Sequence, residues 1–179
     1  MELLSVSPRE EAHPAIDPVI PSVRGKFYSY RTDFSLERPL GYLMDCKANK
    51  RRPLSFAEDN PEGLDLVFTF DHRVVEICSP KSRPARWLLR NAMDARLLSA
   101  TTIGHVDITP EEFYQIRLRK NGAELAEVCR KAMVHNYQVM GLTPNCIVAV
   151  VTESGKYGLF LVKELTHSTV TVDACHILL

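Results

Sequence analysis

Residues 145–179 read NCIVAVVTESGKYGLFLVKELTHSTVTVDACHILL, and this stretch decides the fold class. Ile147 to Val151 and Leu159 to Val162 are apolar without alternation, the pattern of strands covered on both faces. Glu153-Ser154-Gly155-Lys156 between them has the composition of a hairpin turn, and His167-Ser168 separates the second run from a third. The sequence therefore predicts a three-stranded antiparallel meander. In its last strand Val170, Val172, Ala174 and Leu178 share one face while Thr169, Thr171, Asp173 and Cys175 share the other. That alternation predicts a half-exposed strand at a sheet edge.

Working back toward the N-terminus, the central third is helical. Pro84 is tolerated in a first turn, and Leu88, Ala92, Ala95 and Leu98 recur at helical spacing, predicting a helix over 83–99. Thr109-Pro110-Glu111-Glu112 has the form of a capping box, with Thr109 as cap and Glu112 reaching back. Asn121-Gly122 breaks the helix that this box starts. A further helix is expected over 123–140, with Leu125, Cys129, Ala132 and Met133 on one side and Gly141 as a left-handed terminator. Upstream, Lys26 to Thr32, Leu40 to Asp45, and the hairpin of Leu64 to Phe70 with Arg73 to Cys78 read as strands, and Lys47 to Gly63 as loop. Strands, then helices, then strands give an α+β fold: a mainly antiparallel sheet packed against a central block of about three helices.

A chain of 179 residues is most simply one domain over 23–179, preceded by a tail over 1–22. Pro8, Pro14, Pro18 and Pro21 deny that tail a helix or a core strand, and Glu2, Glu10, Glu11 and Asp17 outweigh Arg9. The composition is that of a globular protein, 45% hydrophobic and 25% charged, with a net charge of zero that argues against general binding to nucleic acid or membrane. Five scattered cysteines read as reduced thiols rather than a disulfide framework, and the first residues lack the basic start and apolar centre of a signal peptide. A cytoplasmic protein is expected, with no membrane contact.

Chemistry is sparse in the sequence. Cys175-His176 places a thiol beside an imidazole, yet neighbours in a strand point to opposite faces, and Asp173 on the thiol's own face opposes thiolate formation. Cys175 therefore reads as a packing residue. Asp71-His72-Arg73 gathers an acid, a base and a cation at a hairpin tip, where a solvated turn is the plainer reading. His72, Asp71 and Cys175 are the catalytic candidates, with His105 and His135 as further centres for an enzyme that lacks a motif. Neither metal-ligand spacing nor a phosphate loop occurs, so no metal or cofactor is expected.

Basic residues form the remaining signal. Lys50, Arg51 and Arg52 precede Pro53, and Arg83, Arg86 and Arg90 fall on one face of the first helix beside Trp87. Such a stripe can hold phosphates with an indole for stacking, although the plainer reading turns Trp87 into the core. The leading expectation is a non-enzymatic binding or assembly subunit, meeting a protein partner or further copies of itself through its tail and exposed strand edges. The alternatives are a nucleic-acid-binding protein using 47–52 and 81–90, and a small enzyme with a histidine-centred site.

Overall fold

A computed structural model describes residues 25–35, 40–42, 51–53, 61–71, 74–89, 94 and 96–178. The tail over 1–22 lies outside the described residues, as do Lys50, His72 and Arg90. The fold is α+β, as the order of elements implies. The described strands are β1 (Lys26–Ser35), β2 (Leu40–Tyr42), β3 (Arg51–Pro53), β4 (Leu66–Asp71), β5 (Val74–Cys78), β6 (Thr101–His105), β7 (Val139–Gly141), β8 (Ile147–Thr152), β9 (Tyr157–Leu165) and β10 (Thr169–Leu178). The helices are α1 (Arg83–Leu89), α2 (Pro110–Arg119) and α3 (Gly122–Ala132).

The strands form two antiparallel sheets, ordered β1-β10-β9-β8-β6 and β3-β2-β4-β5-β7. Their inner faces share one core, in which Phe34, Val150, Phe160, Val162 and Val172 of the first sheet meet Leu66, Phe68, Val75 and Ile77 of the second. Phe34 and Phe68 stack across it at 4.1 Å between ring centroids. The outer face of the first sheet is covered by α2 and α3 through Phe113, Ile116, Leu125 and Cys129. Ala85 and Leu89 of α1 cover the outer face of the second sheet over Val67 and Cys78. Because each sheet is sandwiched, its strands need apolar residues at successive positions, which is why β8 and β9 do not alternate.

The meander forms as predicted, but β10 is not an edge. β1 pairs with it along its whole length, from Lys26 opposite Leu178 to Ser35 opposite Thr169. Its polar alternate positions meet partners from other elements: Thr171 donates to Asp33 Oδ1 at 2.7 Å, and buried Asp173 receives hydrogen bonds from β1 and α2.

The helical third is shorter than its periodicity suggested. The first helix is described over Arg83–Leu89 and does not extend to 99, since 94 and 96–99 are not helical and Leu97 N–H donates to Asp94 O. The third ends at Ala132, followed by a short 3-10 turn over Met133–His135, and Asn136 rather than Gly141 takes the left-handed terminating conformation at φ 49°. Gly141 lies instead in β7. β6 and β7 were not anticipated, being short edge strands with weak periodicity, and β3 occupies part of the presumed loop over 47–63. The break at Asn121-Gly122 holds: Lys120 is left-handed at φ 53° and Asn121 caps α3.

The capping box at α2 is complete, with Glu112 N–H donating to Thr109 Oγ1 at 3.2 Å and Thr109 N–H donating to Glu112 Oε2 at 2.7 Å. Replacing Thr109 with alanine is expected to lower stability by about 1 kcal/mol. An unchanged denaturant midpoint in that variant would show that the cap contributes nothing. Gly104 of β6 is required for packing, because a Cβ there would meet Ala132 O of α3 at 2.2 Å.

Candidate functional site

Three polar assemblies stand out, and the first ties the two sheets together at one end. Lys156, in the turn between β8 and β9, reaches across the core so that Nζ donates to Asp65 Oδ1 and Oδ2 at 2.9 and 3.1 Å. Asp65 is wholly buried and Lys156 nearly so. Gly155, at φ 82°, permits the tight turn that aims Lys156 inward, and Thr152 Oγ1 accepts from Lys156 N–H at 3.0 Å. The Asp65 carbonyl accepts from Thr101 Oγ1 at 2.7 Å, and Thr101 N–H donates to Ser79 Oγ at 3.0 Å. Nearby, His176 is buried with its ring stacked on Tyr28 at 5.0 Å, and its Nδ1 lies 3.3 Å from the Tyr30 hydroxyl. Burial, followed by the charges of Cys175 and Asp65, holds the Tyr30 hydroxyl firmly protonated. This assembly is built to stay closed.

The second assembly surrounds Asp173 on the outer face of the first sheet. Arg31 lies directly opposite on β1, and its Nε and Nη2 donate to the two Asp173 oxygens at 2.7 and 2.8 Å. From α2, Tyr114 OH donates to Oδ2 at 2.6 Å and Arg117 Nη1 lies 3.3 Å from Oδ1. Burial alone would raise this carboxyl, but the bonds from Arg31 and Tyr114 and the charges of Arg31 and Arg117 outweigh it, bringing its pKa down to about 2.

The third assembly is a groove of about 400 Å³, lined by His105, Tyr137, Val139, Met140, Gly141, Thr143 and Cys146. It lies where β6 and β7, the end strands of the two sheets, come together. Tyr137 bridges them, exchanging backbone hydrogen bonds with Ile103 at 2.8 and 3.1 Å just before β7 joins β5. Ser79 N–H donates to Gln138 O and Leu142 N–H to Val75 O, so the alternation of an antiparallel ladder turns the backbone groups of Val139 and Gly141 away from β5. By the same alternation the Val106 N–H to Ile147 O bond turns the His105 backbone groups away from β8. All three residues line the groove. Half-buried Cys146 accepts from Thr143 N–H at 3.4 Å, and the exposed His135 ring stands 5.8 Å from Tyr137.

The catalytic candidates are not brought together. Cys175 packs among Ile147, Leu161 and Ile177 on the helix side, while His176 faces the inter-sheet core as strand alternation required. Burial pushes the Cys175 thiol up to about 12, outweighing the charge of Arg117 and a backbone hydrogen bond. Burial likewise raises Cys78 to about 11 and Cys129 well above the ordinary thiol range. Asp71 closes the β4–β5 hairpin opposite Val74. Arg83 and Arg86 are exposed on α1 as a solvent face, but Trp87 is not a core residue: 65% of it is accessible. Among its described positions α1 buries Ala85 and Leu89, and position 87 points away from that stripe. The Arg51 and Arg52 backbones belong to β3.

Sequence reasoning missed Lys156, Asp65, Tyr30 and Arg117 because each acts through a partner far away in the chain. One signal was present: Asp65 and Lys156 are charges directly beside apolar strand runs. Among the described residues, no group of three or more histidine, cysteine or acidic side chains could hold a metal ion, and no helix is long and apolar enough to cross a membrane.

Neither a family model nor a curated protein matches the sequence. The architecture is similar to the crystal structure of a DUF4466 family protein from Parabacteroides merdae ATCC 43184, with a TM-score of 0.51 over 85% of this chain and 13% identity. The match covers 53% of that protein, so this chain spans about half its length, and the likeness is one of fold alone.

Proposed function

We propose that this protein is a non-enzymatic binding subunit that captures an extended segment of another protein chain in the groove between β6 and β7. The observation carrying this reading is the orientation of the backbone there: Val139 and Gly141 turn their amide and carbonyl groups away from β5, His105 turns its own away from β8, and all three residues line the groove. Strand addition takes its affinity from such main-chain groups and its selectivity from side chains beside them. Met140 and Cys146 give the groove an apolar floor against the inter-sheet core, and Tyr137, 45% exposed, offers an aromatic rim. The inward-facing ionic groups of the other sheet-binding assembly are occupied in holding the fold. Partner capture therefore falls to the strand edges expected from the sequence, with β6 and β7 in place of β10.

A benzophenone side chain placed at position 137 of the full chain in its native cell tests this. It is expected to form an adduct with a polypeptide, and in the purified complex the Val139 and Gly141 amides should exchange more slowly than in the free chain. Tyr137→Ala should weaken the complex about tenfold, the loss of one aromatic rim contact. The absence of an adduct at 137, or unchanged exchange at Val139 and Gly141, would remove the reading.

One observation favours the nucleic-acid alternative: Trp87 stands exposed beside Arg83 and Arg86 on α1, which has no acidic residue in its first turn. Base stacking on the indole, with the guanidinium groups on phosphates, is the corresponding contact. The same photoreactive group at position 87 separates the two, since it would then yield a nucleic-acid adduct.

A further inference from the structure

β1 ends the first sheet, and among the described residues no strand pairs with its other edge. Proteins blunt such edges with proline, bulges, charge or shortness. The ten residues of β1, KFYSYRTDFS, include no proline and pair with β10 without a shift of register; their charges are Lys26, Arg31 and Asp33.

Which backbone groups of β1 face outward follows from the ladders behind it. Thr152 N–H donates to Lys156 O, so by antiparallel alternation Val148 and Val150 bond toward β9, at Phe160 and Gly158. Leu159 and Leu161 therefore bond toward β10, at Cys175 and Asp173, which leaves Val172 and Ala174 to bond β1 at Thr32 and Tyr30. Ser29, Arg31 and Asp33 are left with their amide and carbonyl groups directed away from β10, and the Arg31 and Asp33 side chains are exposed.

A second copy of this edge, running antiparallel, must set outward-facing residues opposite one another. A two-fold axis at Arg31 places Arg31 against itself, and an axis at Asp33 places Asp33 against itself; both are repulsive. An axis at Thr32 places each Arg31 opposite the other copy's Asp33, and each Tyr30 opposite the other copy's Phe34. The charges of the edge thus reject the neighbouring registers and select one. Within one copy this face is balanced, Asp33, Asp173 and Glu164 against Arg31, Arg117 and Lys163, so register rather than net charge sets the attraction. Arg31, 60% exposed, gives Nε and Nη2 to Asp173 and has further N–H donors for a partner.

The axis position carries an independent sign. Thr32 Oγ1 is buried and has no hydrogen-bond partner among the described residues. In the selected register the two Thr32 residues form a non-hydrogen-bonded backbone pair, the closer kind, in which one hydroxyl can donate to the other.

We infer that the outer edge of β1 is a homodimer interface, where two copies pair antiparallel about Thr32 and their first sheets join edge to edge. β6 lies at the opposite end of that sheet, so both β6–β7 grooves stay open and the dimer presents two of them. The interface stands whether or not the groove captures a polypeptide.

Sedimentation of the full chain over a concentration series is expected to show a monomer–dimer equilibrium in the roughly micromolar range. Asp33→Lys sets a cation opposite Arg31 at both symmetry-related places and should weaken the dimer about tenfold or more. Ser29→Pro should weaken it as well, because it removes an outward N–H and no bond to β10. Should the proline disturb the fold, Asp33→Lys carries the test alone. Register is read by mild oxidation: Thr32→Cys should give a disulfide-linked dimer, since the axis sets position 32 against its own copy, whereas Asp33→Cys should link no more than the wild type. The Ser29, Arg31 and Asp33 amides should be protected from exchange in the dimer and exchange rapidly on dilution to monomer. A chain still monomeric at about 1 mM, a dimer unchanged by Asp33→Lys, or linkage at 33 in preference to 32 would overturn the inference. Protection that persists in the monomer would also overturn it, assigning the edge to another segment of the same chain.

Discussion

Replacing Lys156 with methionine is expected to destabilise the fold by about 3–5 kcal/mol, because it leaves the wholly buried Asp65 carboxylate without its cation. Methionine keeps most of the stem volume, so the loss reports charge rather than packing. The contrast with the double variant is diagnostic: Asp65→Asn together with Lys156→Met removes both charges and should recover most of the loss, since desolvating a buried pair consumes much of what its attraction returns. Thermal or denaturant unfolding of the wild type, two single variants and the double variant yields the coupling energy directly. A coupling below about 1 kcal/mol would mean that the contact behaves as an exposed pair and does not fasten the sheets.

The same pair marks where the sequence stopped being legible. Continuous apolar runs at 147–151 and 159–162 disclosed doubly covered strands, and the Thr109 to Glu112 spacing disclosed a helix start, because both signals are local. β10 was misplaced for a physical reason: Thr171 and Asp173 look like solvent-facing residues until Asp33 and Arg31, about 140 residues earlier, are seen to complete their face. Short strands failed similarly. β7 is three residues long and is held by register with β5, which sequence separation hides, so its residues were absorbed into a helix whose pattern had already ended at Ala132. Of the site residues, His105 was named for its imidazole, whereas what the structure adds is a backbone turned away from β8 beside the groove. Edge orientation is a property of pairing, and residue type does not encode it.

Asp173 gives the fold a defined acid limit. Its carboxyl titrates near 2 in the folded chain against 3.8 when unperturbed, so the unfolded chain takes up the proton first as acid is added. The stabilisation is fully present above the unfolded value and is lost as pH falls through the folded one, which places the loss between about pH 4 and pH 2. That gap corresponds to about 2 kcal/mol. Asp173→Asn should therefore cost on the order of 2 kcal/mol at neutral pH, releasing Arg31 and Arg117 from the sheet, and should flatten the acid limb of the stability curve. Sodium chloride should move the wild-type limb little, because the carboxylate itself is buried, although Arg31 is largely exposed. Urea unfolding from pH 2 to pH 7 decides the matter: an identical acid limb in Asp173→Asn would assign the acid sensitivity to other carboxylates and would leave the Arg31–Asp173–Arg117 assembly without an energetic role.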